Sequence, residues 1–235
     1  MLYNNASQSA LNSYKVIMLA GDVVIDDTLR AELTSYVNGG GTLIANVNQA
    51  TAADQSLLGV TLSSSTATGT SSRWLADGST YSELQYTYNK VTLTTATKVA
   101  DNNGSGDALI TVNNVGLGKV YLTTPGFMQS NDKTQILNIG QKLTDSVMTA
   151  NVSATVEGAA TYYIVNTAAN KIVVTVMNNS GTAWSGTVDV NKPAGAYTTQ
   201  EWVTDTPVTS SVAGNQVKIN ATVPAYDVRV FAITW

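Results

Sequence analysis

The spacing of hydrophobic positions changes character part-way along this chain. From Tyr14 to Ala20 the run YKVIMLA is almost continuously apolar, the pattern of a strand covered on both faces. Leu29, Leu33, Tyr36 and Val37 then recur at i, i+4, i+7 and i+8, one stripe of a helix. Asp26 and Asp27 stand where a helix N-terminus favours acid. Gly39-Gly40-Gly41 end the stripe, and TLIANV, Thr42 to Val47, is a second apolar strand. Strand, helix and strand with short joints predict a βαβ unit with a right-handed crossover.

The three glycines pose a choice between a phosphate cradle and a helix stop. A phosphate loop lies after a strand and before a helix, where free N–H groups point at the anion. Here the order is reversed, so the glycines read as the place where a helix stops. Gly116-x-Gly118-Lys119 is followed by a short strand instead of a helix and reads as a hairpin turn. Ile136, Leu137, Ile139, Leu143 and Val147 predict a second helix over 131–148, capped by Asn131 or Asp132.

Residues 51–113 show neither period clearly. SSSTATGTSSRW reads as a polar loop or short β pieces, and YSELQYTYNKVTLTT alternates as strands do. Beyond residue 150 helical spacing disappears. TYYIVNT, KIVVTVMNN, WSGTVDVN, QEWVTD, QVKINATV and DVRVFAITW are short alternating segments separated by turn signals, which predicts an antiparallel β-sandwich. The expected fold class is therefore α/β plus all-β: an α/β domain over 1–150 and a β-sandwich domain over 151–235.

Composition narrows the chemistry. Charged residues are 12% of the chain, about half the usual share, and Thr, Ser and Asn must build much of the surface. That balance leads us to expect an extracellular or cell-surface bacterial setting. The net charge is −4, so a clustered basic footprint for nucleic acid is not expected. The 235 residues include no cysteine and no histidine. Disulfides, thiolate metal sites, serine-histidine-aspartate chemistry and histidine zinc ligation are excluded, and no metal or other cofactor is expected. Apolar runs are strand-sized, so no membrane span is expected. MLYNNASQSALNS lacks the basic start and apolar core of a signal peptide, and we expect a segment of a longer chain with Met1 supplied for expression.

Three segments carry a family resemblance: YKVIMLAGDVVIDDTLRAELTSYVNGGGTLI, then ALITVNNVGLGKVYLTTPG, and VPAYDVRVFAITW preceded by VTVMNNSGTAWSG. In this order they resemble the C-terminal part of glycoside hydrolases of the family 42 β-galactosidase type. There a catalytic barrel is followed by a class I glutamine amidotransferase-like domain, often called the trimerisation domain, and a small β-sandwich. The resemblance implies that residues 1–150 form a flavodoxin-like domain cut at its N-terminal edge. It implies a non-catalytic accessory region whose partner is the missing barrel. The barrel's two carboxylates and the amidotransferase cysteine are absent. Polysaccharide binding and a homo-oligomer stay open, and a free-standing adhesive module is the alternative.

Two sets of residues are candidates for a site. Asp22 follows the first strand, and Asn46, Asn48 and Gln49 end the next, where ligands of open α/β sheets bind. A small hydrolase built on Asp22 is the less favoured possibility, and turn hydrogen bonding is the plainer role for all four. Sugars stack on aromatic rings beside short polar groups. Trp74, Tyr81, Tyr86 and Tyr88 are one such cluster in sequence, and Trp184, Trp202 and Tyr226 a second. The competing role for each is core packing. No pair of acids forms a catalytic constellation.

Overall fold

The computed structural model describes residues 7–126, 137–192, 195–213 and 216–235. The chain divides into two compact units, Met1–Met148 and Thr149–Trp235.

The first unit is built on one seven-stranded sheet. In chain order its elements are α1 (Gln8–Leu11), β1 (Val16–Met18), α2 (Asp27–Asn38), β2 (Thr42–Asn46), α3 (Gln55–Leu58), β3 (Val60–Trp74), β4 (Thr80–Leu93), β5 (Thr97–Asn102), β6 (Ala108–Val115), β7 (Gly118–Thr123) and α4 (Asn138–Asn151). The sheet order is β1-β2-β7-β6-β5-β3-β4. Only the pairs β1–β2 and β2–β7 are parallel; every later pair is antiparallel.

Alternation along the central strands separates two cores. Leu43 and Ala45 of β2, with Val120 and Leu122 of β7, meet Leu29, Leu33 and Val37 of α2. Ile44 joins Trp74, Tyr86, Tyr88 and Ile110, together with Ile139, Leu143 and Val147 of α4. The α2 stripe forms as its spacing predicts, with Leu29, Leu33, Tyr36 and Val37 all buried, and Asp26 caps the helix by accepting the Leu29 N–H at 2.8 Å. The predicted caps of the second helix, Asn131 and Asp132, lie outside the described residues.

The second unit consists of β8 (Ala154–Gly158), β9 (Tyr162–Ala168), β10 (Lys171–Met177), β11 (Trp184–Asn191), β12 (Thr198–Glu201), β13 (Thr206–Pro207), β14 (Ser210–Ala213), β15 (Gln216–Val223) and β16 (Val228–Thr234). They form two antiparallel sheets, β13-β12-β16-β10-β9 and β14-β15-β11-β8. Period 2 buries Ile172, Val174 and Val176 of β10 and Val217, Ile219, Ala221 and Val223 of β15. These residues share one cluster with Trp184, Val188, Phe231 and Ile233, so the inner faces of the two sheets make a single core.

The expected flavodoxin-like α/β domain followed by a sandwich is overturned. Strand accounts for 51% of the structure and helix for 19%, in three sheets of mixed and antiparallel strands. The decisive stretch is Val60 to Leu93, of which SSSTATGTSSRW reads from sequence as a loop or short β pieces and only the part from Tyr81 onward as strand-like. It forms strands of 15 and 14 residues. In VTLSSSTATGTSSRW hydroxyl residues fall on both faces and only the small Ala67 and Gly69 interrupt them between Ser63 and Ser72, so hydrophobicity carries little period although threonine suits extended backbone. The two register shifts along β3–β4 lie inside the same polar run, between Leu62 and Thr66 and between Gly69 and Ser71.

Candidate functional site

At the glycine triplet the backbone geometry is explicit. The N–H groups of Gly39, Gly40 and Gly41 donate to the carbonyls of Ser35, Val37 and Tyr36 respectively, all in the last turns of α2. No triplet amide is left to hold an anion. Gly40 has φ +105, and a Cβ on Gly41 would overlap the Tyr36 ring. The triplet therefore ends the helix and lets the chain pass beneath a tyrosine.

Asp22, Asn46, Asn48 and Gln49 follow the carboxyl ends of β1 and β2. Asn46 is buried, and its Nδ2 donates to Thr123 Oγ1 at 2.8 Å and to the Pro125 carbonyl. The Gln49 side chain accepts the Asn46 N–H at 2.8 Å and donates to the carbonyls of Leu19 (3.2 Å) and Gly21 (2.9 Å). These two amides stitch together the ends of β1, β2 and β7. Asp22 and Asn48 are exposed beside them, the Asn48 N–H donating to Asn46 Oδ1 at 2.9 Å.

The first aromatic cluster is packed into the interior. Trp74 is 6% exposed, and Tyr86 and Tyr88 are buried with ring centroids 5.9 Å apart. Burial pushes the Tyr86 phenol up to about 12. Its hydroxyl donates to the Ser71 carbonyl at 2.8 Å and accepts from Asn102 at 3.0 Å. Tyr88 donates to Asp107 at 2.7 Å, and that bond is the leading reason the Asp107 carboxyl lies below its usual range. Tyr81 is half-buried against the same core. In the second unit Trp184 is buried, its indole N–H donating to the Ala159 carbonyl at 2.8 Å.

Two aromatic candidates remain open to solvent. Trp202 is 46% exposed with Lys171 Nζ 5.3 Å from its ring centroid, and Tyr226 is 78% exposed at φ 55. Sequence reasoning passed over Tyr162, Tyr163 and Ile164, which are also exposed. The signal was present in TYYIVNT, a strand with no charged residue.

A groove of about 390 Å³ in the second unit is lined by Glu201, Thr204, Thr209, Asn220, Arg229 and Phe231, among others. Glu201 is its most constrained group. Burial pushes this carboxyl up, but bonds from the Thr204 hydroxyl and the amides of Val230, Val203 and Thr204 outweigh burial and leave it below the usual range. The Thr204 N–H is 2.8 Å away and its hydroxyl 2.5 Å. Arg229 Nη1 donates to Asp227 at 2.7 Å and to the Val228 carbonyl at 2.7 Å. Glu201 thus holds the turn at Val203 and Thr204 against Val230 of β16. Among the described residues no group of three or more acidic side chains is placed to hold a metal ion.

No protein-family model matches the chain, and neither does any curated protein. Solved structures do. A GH42 β-galactosidase from G. stearothermophilus matches with TM-score 0.60 and 14% identity, covering 96% of this chain and 32% of that one. The β-galactosidase from Bacillus circulans sp. alkalophilus gives 0.59 and 14%, covering 93% and 33%. Alpha-L-fucosidase isoenzyme 2 from Paenibacillus thiaminolyticus gives 0.67 and 12%, covering 98% and 42%. The fold is a glycoside hydrolase-related one, and the chain spans about a third of the length of the β-galactosidases it matches.

Proposed function

We propose that this chain is a non-catalytic accessory region of a carbohydrate-active enzyme, supporting a catalytic domain carried elsewhere. The observation behind the proposal is that almost the whole chain overlays on a minor part of several glycoside hydrolases. The roles of its acids favour the same reading. Asp26 and Glu83 cap helices, Asp54 and Asp101 pair with Arg30 and Arg73, and Glu201 is consumed by amides and a hydroxyl. A glycosidase needs two carboxyl groups facing one sugar, about 5–9.5 Å apart, with one free to deliver a proton. The test is turnover of a broad panel of aryl glycosides by the purified chain. No turnover is expected, and hydrolysis that co-purifies with the chain overturns the proposal.

Exposure of Trp202 and Tyr226 favours a second role beside the first, polysaccharide binding. Rings open to solvent can stack on the C–H faces of a pyranose. Affinity electrophoresis through gels containing plant and microbial polysaccharides tests it. Retardation by one class that is lost in Trp202→Ala supports this role, and unchanged migration across the panel leaves a scaffold.

A further inference from the structure

Six strands edge the three sheets among the described residues: β1 and β4, β13 and β9, β14 and β8. An edge strand presents backbone N–H and C=O groups without ladder partners, and proteins blunt such edges by shortness, charge, proline or cover. Five of the six do so. β1 has three residues, β14 has four, and β13 has two with Pro207 among them. β8 has five, carries Glu157 and ends at Gly158 with φ +141. β4 is long, but it carries Glu83 and Lys90, and its Asn89 N–H donates to the Thr124 carbonyl.

β9 has none of these devices. Its seven residues, YYIVNTA, include no charge and no proline, and six of them are exposed. The strand also borders an apolar sheet face. Trp202, Val230, Thr175 and Ile164 lie side by side across β12, β16, β10 and β9, and Val228, Met177 and Tyr162 form the next row. Tyr162 is 67% exposed and Ile164 52%. These two rows set aliphatic side chains between the rings, and the adjoining row on the same face is Gln200, Ala232, Val173 and Asn166.

We propose that β9 pairs antiparallel with β9 of a second copy of this chain, about a twofold axis at Val165. The pairing is self-complementary in size. Tyr162 meets the partner's Ala168, Tyr163 the partner's Thr167 and Ile164 the partner's Asn166, while Val165 faces the partner's Val165. The two tyrosines stand opposite the small residues Ala168 and Thr167, no like charges oppose, and each residue keeps its own face of the sheet. The two five-stranded sheets become one of ten strands.

Sedimentation velocity of the 235-residue chain, from micromolar to submillimolar concentration, tests the pairing. The expected result is a monomer–dimer equilibrium that Ile164→Lys weakens at least about tenfold, with circular dichroism and melting unchanged. A wild type that stays monomeric throughout overturns the proposal, as does a dimer indifferent to Ile164→Lys. Single cysteines give a second reading, since the chain has none of its own. Val165→Cys faces its own copy and is expected to form a disulfide dimer on mild oxidation. Asn166→Cys lies on a diagonal too long to bridge and is expected not to. Neither variant crosslinking, or both doing so alike, counts against the register.

Discussion

The carboxylate of Glu83 accepts the backbone N–H groups of Asn138 at 2.8 Å and of Ile139 at 3.0 Å. A strand residue 55 positions away thus does what an N-cap normally does locally. The same carboxylate accepts the Ser72 hydroxyl at 2.7 Å, tying β3, β4 and α4 together. Glu83→Ala is expected to lower unfolding free energy by about 1–2 kcal/mol, the usual cost of a lost charged cap. Glu83→Gln should lose less, because its amide oxygen still accepts. Urea denaturation of the three proteins measures both, and equal stability of wild type and Glu83→Ala contradicts the assignment.

That cap could not have been found from the sequence. Glu83 sits in a strand-like run, and nothing near residue 138 announces it. The elements that were legible owed it to period: the α2 stripe with Asp26 before it, and the alternation of Ile172, Val174 and Val176 or of Val217, Ile219 and Ala221. What stayed hidden lacked contrast. In the hydroxyl-rich run after Val60 both faces look alike, so the first arm of the long hairpin was missed although its second reads as strand-like, and the first unit was assigned too much α/β character. The aromatic candidates show a related limit. Trp184 and Trp202 look the same in sequence, and only the parity of the strand they occupy or end decides which is core.

That contrast can be measured. Trp184→Ala removes a buried indole and its hydrogen bond, and is expected to cost about 3–5 kcal/mol. Trp202→Ala removes a half-exposed ring and is expected to stay within about 0.5 kcal/mol of wild type. Thermal unfolding monitored by circular dichroism separates the two. Comparable losses in both would contradict the burial difference.

Glu201 gives the second unit a defined acid sensitivity. Its carboxyl in the folded chain lies below the ordinary glutamate value of 4.5. The unfolded chain therefore takes up its proton first as pH falls, so the stabilisation is complete above that value and is lost as pH drops through it towards the folded one. Glu201→Gln, which cannot titrate, should melt lower than wild type by a constant margin above about pH 5, with the gap narrowing below it. A gap that widens on acidification would reverse the sign.

The order of strands in the first unit also has a kinetic consequence. Apart from β3–β5, its antiparallel pairs join near neighbours: β3 meets β4 across a five-residue link, and β6 meets β7 through Gly116-Leu117. The parallel pair β2–β7 instead brings Asn46 to Thr123, 77 positions on, with both hairpins lying in between. Closing that loop costs chain entropy before any contact repays it. The hairpins should therefore gain protection early and β2 late, an order that pulse-labelled hydrogen exchange would reveal. The helix and glycines that stand out first in the sequence would then be among the last parts of their sheet to be secured.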